Sequence, residues 1–235
     1  MKYVNMPQFD LGAESGEEAV ASTAATESRL HALQERLQEL GSGGDPMQRA
    51  DLQKQEAVLL IALDKGEEAW ASARPTIDVY MNAQQWEKAV EACDLLFRAD
   101  QQGSLSALGQ GVWLAVTFPI DPELTVAMLQ HIVDETPDDA DGAAVAAATA
   151  VYVVDLRAEE KQHGDLQFFA MQLLGSVARR HANVTSQVEF DRWMERLELT
   201  DPAKFLVRLR NVLDVMVQDE WWFDRDHIQA TLPVN

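Results

Sequence analysis

Residues Asp64–Asp100 combine two helical patterns with a short polar corner, Asn82–Gln85, between them. After the corner, apolar residues recur at helical spacing and form one stripe: Trp86, Ala89, Val90, Cys93, Leu96 and Phe97. Two amphipathic helices joined by so short a connection pack as antiparallel neighbours, because each has to bury its apolar stripe. This stretch therefore predicts a helical hairpin.

The rest of the chain follows the same plan. Only 12 of the 235 residues are glycine and 8 are proline, and no alternating strand pattern is present. Short corners marked by Pro, Asp or Gly separate eight or nine predicted helices, and the helix-start pair Asp-Pro recurs at Asp45, Asp121 and Asp201. We therefore predict an all-α fold of antiparallel helical hairpins stacked as a short α-solenoid.

The stretch from Asp139 to Leu156 is almost entirely Ala and Val. A helix that is apolar on all sides is predicted to lie in the middle of a bundle, where its alanines let neighbouring helices approach closely.

Four helix boundaries are predicted from individual residues or short turns. Gly66 is predicted to end the helix that begins at Asp45. Pro75 either lies inside one kinked helix, which we prefer, or begins a new helix. The turn His163–Asp165 is predicted to begin a helix that ends near His181, and the last long helix is predicted to continue to Trp222.

Residues 1–26 are small, polar and acidic and predict a poorly ordered tail, so that residues 27–235 would form a single helical domain. At the start of this domain, leucines recur at coiled-coil spacing: Leu30, Leu33, Leu37 and Leu40. Two heptads are too few for an independently stable coiled coil. The leucines therefore pack on the body of the protein or, alternatively, form a homodimer through residues 27–40.

The formal net charge is −20, and it is unevenly distributed. A chain this acidic repels nucleic-acid backbones and anionic membranes, so we expect no nucleic-acid or membrane partner. Between Ala99 and Leu156 there are nine carboxylates and no Lys or Arg. The acidity either serves solubility alone or, alternatively, matches a partner protein with a basic surface or segment, which is the partner we expect.

Cys93 is the only cysteine, which excludes a disulfide within one chain and predicts a buried, inert thiol in a reducing compartment. The N-terminus has no apolar signal-peptide core, and the longest apolar stretches are too short to span a bilayer. We therefore expect a cytoplasmic protein.

Residues 73–100 resemble a tetratricopeptide repeat. Tyr80, Trp86, Ala89 and Asp100 match the preferred aromatic, aromatic, small and acidic positions of that repeat, whereas Ile77, Cys93 and Leu96 depart from it. A degenerate second repeat covers about 104–137, with Ala127 in the role of Ala89. The resemblance implies a solenoid that holds a protein segment in a groove, as an adaptor or assembly chaperone does.

Motifs of catalysis are absent from the sequence: there is no phosphate-binding loop, H-E-x-x-H or G-x-S-x-G. We therefore expect no enzyme activity, cofactor or metal. The alternative is a metal- or small-ligand-binding helical enzyme that uses His131 with Asp134 or Glu135 on one helix face. A calcium loop beginning at Pro137 fails at its first ligand position.

The candidate protein-binding residues are aromatic or charged. Three adjacent aromatics, Trp221–Phe223, cannot all point into one core from one helix, so they either cap the last hairpin or form a binding surface. Arg208 lies just upstream, and the acid-rich corner is predicted to line the groove. The full set is Trp113, Asp134, Asp138, Arg208, Trp221, Trp222 and Phe223.

Overall fold

The computed structural model describes residues 2–3, 16–41 and 43–232. This part of the chain is all-α and contains no strand, which confirms the predicted fold class. It holds eleven helices, more than the eight or nine predicted: α1 Gly16–Leu40, α2 Pro46–Ala62, α3 Gly66–Asn82, α4 Trp86–Arg98, α5 Ser104–Thr117, α6 Pro122–Glu135, α7 Asp141–Arg157, α8 Glu160–Ala182, α9 Gln187–Arg196, α10 Pro202–Val217 and α11 Arg225–Thr231.

The helices divide into two compact units, with the boundaries inside α5 and near the end of α10. Of the described residues, the first unit comprises 16–41, 43–110 and 217–232, and it holds α1 to α4, the beginning of α5, and α11. The second unit comprises the described residues 2–3 and 111–216, and it holds the end of α5, α6 to α9, and nearly all of α10.

In the first unit, each helix from α1 to α4 packs on the next one along the chain. The corners after α2 and α3 have the same geometry, in which Asp64 and Gln84 adopt left-handed conformations with φ of 56° and 53°. A backbone N–H just past each helix then bonds a carbonyl five residues earlier, from Lys65 to Leu60 and from Gln85 to Tyr80. The corners after α2 and α3 therefore have the same left-handed residue and the same backbone hydrogen bond.

Gly66 does not end α2, so that prediction was wrong. Asp64 is the left-handed residue, and Gly66 is the first residue of α3. A Cβ at Gly66 would lie 2.2 Å from the carbonyl oxygen of Ala99, which is backbone and cannot move aside easily. Glycine is therefore required by close packing and not by the turn.

The preferred prediction of one helix around Pro75 is confirmed, because α3 is continuous and contains this proline. The predicted tail of residues 1–26 lies partly outside the described residues, and from Gly16 onward it belongs to α1. Leu30 and Leu33 are each only 6% exposed, and α1 packs on α2. Dimerisation through residues 27–40 stays a prediction.

A polar network joins α2, α3 and α4. The Tyr80 hydroxyl, on a fully buried side chain, donates to Asp51 Oδ1 over 3.0 Å, and Lys88 Nζ lies 2.7 and 2.8 Å from the two Asp51 oxygens. Burial pushes the pKa of Asp51 upward, but the bonds from Lys88 and Tyr80 outweigh it and hold that pKa below its usual value. The charged carboxylate is therefore the form that the fold stabilises.

We expect Asp51→Asn to lower the free energy of unfolding by about 1 kcal/mol at neutral pH, a modest value because the carboxylate is partly exposed. Since the folded pKa lies below the unfolded value of about 3.9, the contribution is present above that pH and disappears as the pH falls through the folded pKa. Urea unfolding at neutral and acid pH measures the difference. Asp78→Asn, at an exposed position on α3, is the control; an equal loss there would contradict the prediction.

In the second unit, α6 packs on α7, α7 on α8, and α8 on α9. Every residue from Ala143 to Ala150 is buried, which confirms the prediction for the middle of this apolar stretch. Its end is different, because Leu156 is 63% exposed. The predicted turn at His163–Asp165 was wrong, because α8 begins earlier, at Glu160. The chain turns at Ala158 and Glu159, which have extended backbones. His163 therefore already lies within α8, with its Nε2 3.2 Å from Asp155 Oδ1 of α7.

The prediction that the last long helix continues to Trp222 was also wrong. Helix α10 ends at Val217, and the next residue, Gln218, adopts a left-handed conformation with φ of 54°. The aromatic residues therefore lie in an irregular segment between α10 and α11.

Candidate functional site

The predicted binding residues are distributed over both units. Trp221, Trp222 and Phe223 belong to the first unit, and the other four belong to the second. Of these four, Trp113 is only 5% exposed and forms part of the core. Their roles in binding stay predictions.

Trp222 is held by its own unit. Its ring meets Trp70 edge to face at 6.3 Å, and the guanidinium carbon of Arg74 lies 4.2 Å from its centroid. The backbone N–H of Trp222 donates over 2.8 Å to Oε1 of the fully buried Gln110. These contacts make Trp222 a cap over α3 and the beginning of α5.

Trp221 and Phe223 are half-buried and pack against each other edge to face at 5.7 Å. The guanidinium carbon of Arg225 lies 4.5 Å from the Trp221 centroid. Trp222 thus makes contacts separate from those of Trp221 and Phe223, which pack on each other.

In the second unit, an arginine from α8 occupies the acid-rich corner between α6 and α7. Arg180 donates to the carbonyls of Val133 and Thr136 at 2.6 and 3.3 Å and forms an ion pair with Asp138 at 3.3 Å. It thereby satisfies the C-terminal carbonyls of α6. Desolvation raises the pKa of Asp134 and outweighs the lowering effects of His131 and Arg180.

A second network fixes α9 in place. Trp193 Nε1 donates to His181 Nδ1 over 3.1 Å, so a neutral His181 carries its proton on Nε2, 3.1 Å from Asp141 Oδ1. Arg208 donates to Asp141 Oδ2 over 2.7 Å and to the carbonyl of Leu197. The network joins the start of α7, the end of α8, α9 and α10, so two corner carboxylates are already bound within the chain.

The outer side of α8 carries an exposed apolar row. Phe168 is 60% exposed and Met171 is 42% exposed. Helical spacing places Gly175 and Arg179 on the same side, toward the end of the helix. An Arg179 nitrogen lies 3.6 Å from where a Gly175 Cβ would stand, so the arginine side chain folds back along the helix.

This row leads into a groove between α8 and α9. The groove has a volume of about 600 Å³, and its lining consists of Gly175, Arg179, Asn183, Val184, Thr185, Ser186, Gln187 and Phe190. A smaller depression of about 250 Å³ shares Asn183 and Val184 with it and is lined on α9 by Arg192, Trp193 and Arg196. Val188, 58% exposed, stands at the start of α9. We call this region, from Phe168 to Arg196, the α8–α9 surface.

Three arginines of the α8–α9 surface, Arg179, Arg192 and Arg196, are exposed and form no ion pair with any residue that the structure describes. The nearby Glu189 is occupied by the cap of α9, since its carboxylate accepts bonds from Thr185 and Ser186. The backbone bond from Thr185, followed by the other bonds, lowers the pKa of Glu189. Arg179 therefore adjoins the apolar row and the groove, whereas Arg192 and Arg196 line the smaller depression.

This surface is not among the binding residues predicted from the sequence. The available signal was an apolar pair, Phe168 and Met171, on the side of α8 opposite its buried row of Leu166, Phe169, Ala170, Leu173, Leu174 and Val177.

The described residues contain no group of three His, Cys, Asp or Glu side chains able to hold a metal ion, and this includes the surroundings of His131. Within the same residues, none of the helices has the length and apolar character needed to cross a membrane. Comparisons with protein-family models, with curated proteins and with solved structures found no match.

Proposed function

We propose that this protein is a non-enzymatic interaction module, of the adaptor or assembly-chaperone class, and that it docks a partner protein on the α8–α9 surface. The observation that carries the proposal is the exposed pair Phe168 and Met171 beside a groove of about 600 Å³. Exposed apolar side chains that adjoin a concave region mark protein-binding surfaces more often than isolated ones do.

The packing of the hairpins supports this proposal. Each unit stacks successive helices in chain order, and the corners after α2 and α3 repeat one geometry. The resemblance to a tetratricopeptide repeat in residues 73–100 points to the same class of scaffold by analogy. A cytoplasmic location belongs to the same proposal and is supported by the buried lone thiol of Cys93.

The expected basic partner is a separate part of the hypothesis. Asp138 and Asp141 are already paired with Arg180 and Arg208. A basic partner segment would therefore contact the exposed corner carboxylates, of which Asp134 is one. This partner stays a prediction for the α6–α7 corner.

Site-specific photocrosslinking tests the α8–α9 surface. With a benzophenone amino acid at Val188, the full chain should form a discrete adduct with one other protein in an extract of its native cells. Placing glutamate at both Phe168 and Met171 should reduce the adduct yield about fivefold or more, because charged groups would replace the apolar contacts. Mass spectrometry identifies the adduct, and circular dichroism verifies that the variant remains folded.

Val215→Glu is the matched control, since Val215 is 74% exposed and lies on α10 of the same unit. This variant should leave the adduct unchanged. An adduct that survives the Phe168 and Met171 substitutions, or that forms equally from a benzophenone at Val207, would overturn the proposal.

A further inference from the structure

We infer that a second copy of this chain covers the outer side of α8 while no partner protein is bound; this inference rests on the proposed function, whose docking site the second copy would occupy. Six positions make up this side, which we call the α8 face: Asp165, Phe168, Met171, Gln172, Gly175 and Arg179. At 100° per residue they fall within an arc of about 120°, opposite the buried row of the helix. One neighbouring helix is therefore enough to cover them together.

The charges of the α8 face are complementary to each other across a two-fold axis. Asp165 lies about two turns before Gln172, and Arg179 lies about two turns after it. In an antiparallel pair of α8 helices that crosses at Gln172, Asp165 of each copy stands opposite Arg179 of the other. Neither residue forms an ion pair with any residue that the structure describes, so both are available for these two contacts.

The same arrangement gives the exposed ring of Phe168 a place to pack. Phe168 of one copy would lie over Gly175 of the other, which has no side chain in the way and lines the groove of about 600 Å³. Val184 and Phe190 also line that groove and would contact the ring. Pairing would therefore remove two phenylalanine side chains, each 60% exposed in the single chain, from water.

The charge of α8 allows two copies to approach although the whole chain carries −20. This helix has two carboxylates, Glu160 and Asp165, and three cations, Lys161, Arg179 and Arg180. Two such helices do not repel each other as two acidic helices would. A contact of about four turns belongs to the small interfaces, so we expect a dissociation constant of about 1–100 μM. A docking partner can displace so weakly bound a copy.

Complementary charge reversal in the full chain tests this pairing. In light scattering and analytical ultracentrifugation, the unmodified protein should form a dimer as its concentration rises. Asp165→Arg and Arg179→Asp should each weaken dimerisation about tenfold or more, because each places like charges opposite one another at two points. An equimolar mixture of the two variants should dimerise again, since every reversed charge then faces an opposite one. Circular dichroism verifies that both variants remain folded.

The matched controls reverse charges elsewhere in the second unit. Glu135→Arg lies at the exposed end of α6, and Arg192→Asp lies beside the smaller depression on α9. Each should change the dimer dissociation constant less than about twofold, alone or in a mixture of the two.

Photocrosslinking tests whether the second copy and the partner share the surface. A benzophenone amino acid at Met171 should give an adduct of twice the chain mass in the purified protein. Adding an extract of the native cells should lower the yield of this adduct at least twofold, because the partner competes for the same side chains. An equal yield with and without extract would overturn the inference.

Three further outcomes would also overturn it. A chain that stays monomeric up to about 1 mM would show that no second copy covers the α8 face. A dimer that survives both charge reversals but is lost in Leu37→Glu would place self-association at residues 27–40. A mixture of the two variants that stays monomeric would contradict antiparallel pairing. The docking function stands or fails separately, with the Val188 adduct to another protein.

Discussion

Ala146→Leu is expected to lower the free energy of unfolding of the second unit by about 3 kcal/mol. Ala146 is fully buried in the middle of α7, and its neighbours from Ala143 to Ala150 are buried as well. α7 packs on both α6 and α8, so the methyl groups of its alanines set how closely the helix axes approach. A leucine has to displace one of those helices or adopt a strained rotamer.

The measurement is urea unfolding followed by circular dichroism, together with amide hydrogen exchange in α7. The matched control is Ala203→Leu, which makes the same substitution at an exposed position of α10 in the same unit. The control should change stability by less than about 0.5 kcal/mol. Equal effects of the two substitutions would mean that close packing of α7 does not limit the volume at Ala146.

The sequence predicts this part of the fold well because local and tertiary preferences agree. An uninterrupted run of Ala and Val both favours a helix and requires burial on every side. The Asp-Pro pairs were equally informative: Asp45 and Asp121 each accept two backbone N–H bonds as N-caps, and Asp201 accepts one from Ala203. In these places the local sequence alone is enough to predict the secondary structure.

The helix boundaries that were predicted wrongly lie where tertiary contacts determine the backbone conformation. Gly66 was interpreted as a helix end because glycine usually takes the left-handed position, but here Asp64 adopts that conformation and Gly66 is needed against Ala99. The end of α10 at Val217 was missed because the contacts that hold Trp222 come from α3 and α5. No local pattern in residues 217–223 contains those partners.

The candidate site was harder to predict than the fold, for an electrostatic reason. The stretch without Lys or Arg between Ala99 and Leu156 suggested a negative groove. Arg180 and Arg208, more than 40 residues away in sequence from their acidic partners, neutralise part of it. Conversely, Arg192 and Arg196 form no ion pair within the described residues. Nothing in the sequence distinguishes them from the arginines that are paired. Net charge along the chain is therefore a poor guide to charge on the folded surface.

Trp222→Ala is expected to lower the free energy of unfolding of the first unit by about 2 kcal/mol, less than for a fully buried tryptophan because the side chain is half-buried. The substitution removes the edge contact with Trp70 and the stacking of Arg74 on the indole. It also releases the segment whose backbone is bound to Gln110. The backbone amide hydrogen at position 222, which donates to Gln110 Oε1, should therefore exchange faster in the variant.

Trp222→Phe separates the cap from a binding role. Phenylalanine retains an aromatic face for Arg74 and an apolar contact with Trp70, so this variant should recover more than half of the lost stability. Leu105→Ala, at a 49% exposed position of α5 in the same unit, should change stability by less than about 0.5 kcal/mol and is the control. If Trp222 instead served mainly to bind a partner, truncating it would leave urea unfolding and amide exchange unchanged. The contacts of its ring and its backbone N–H, all within the first unit, are the reason to expect a loss of stability.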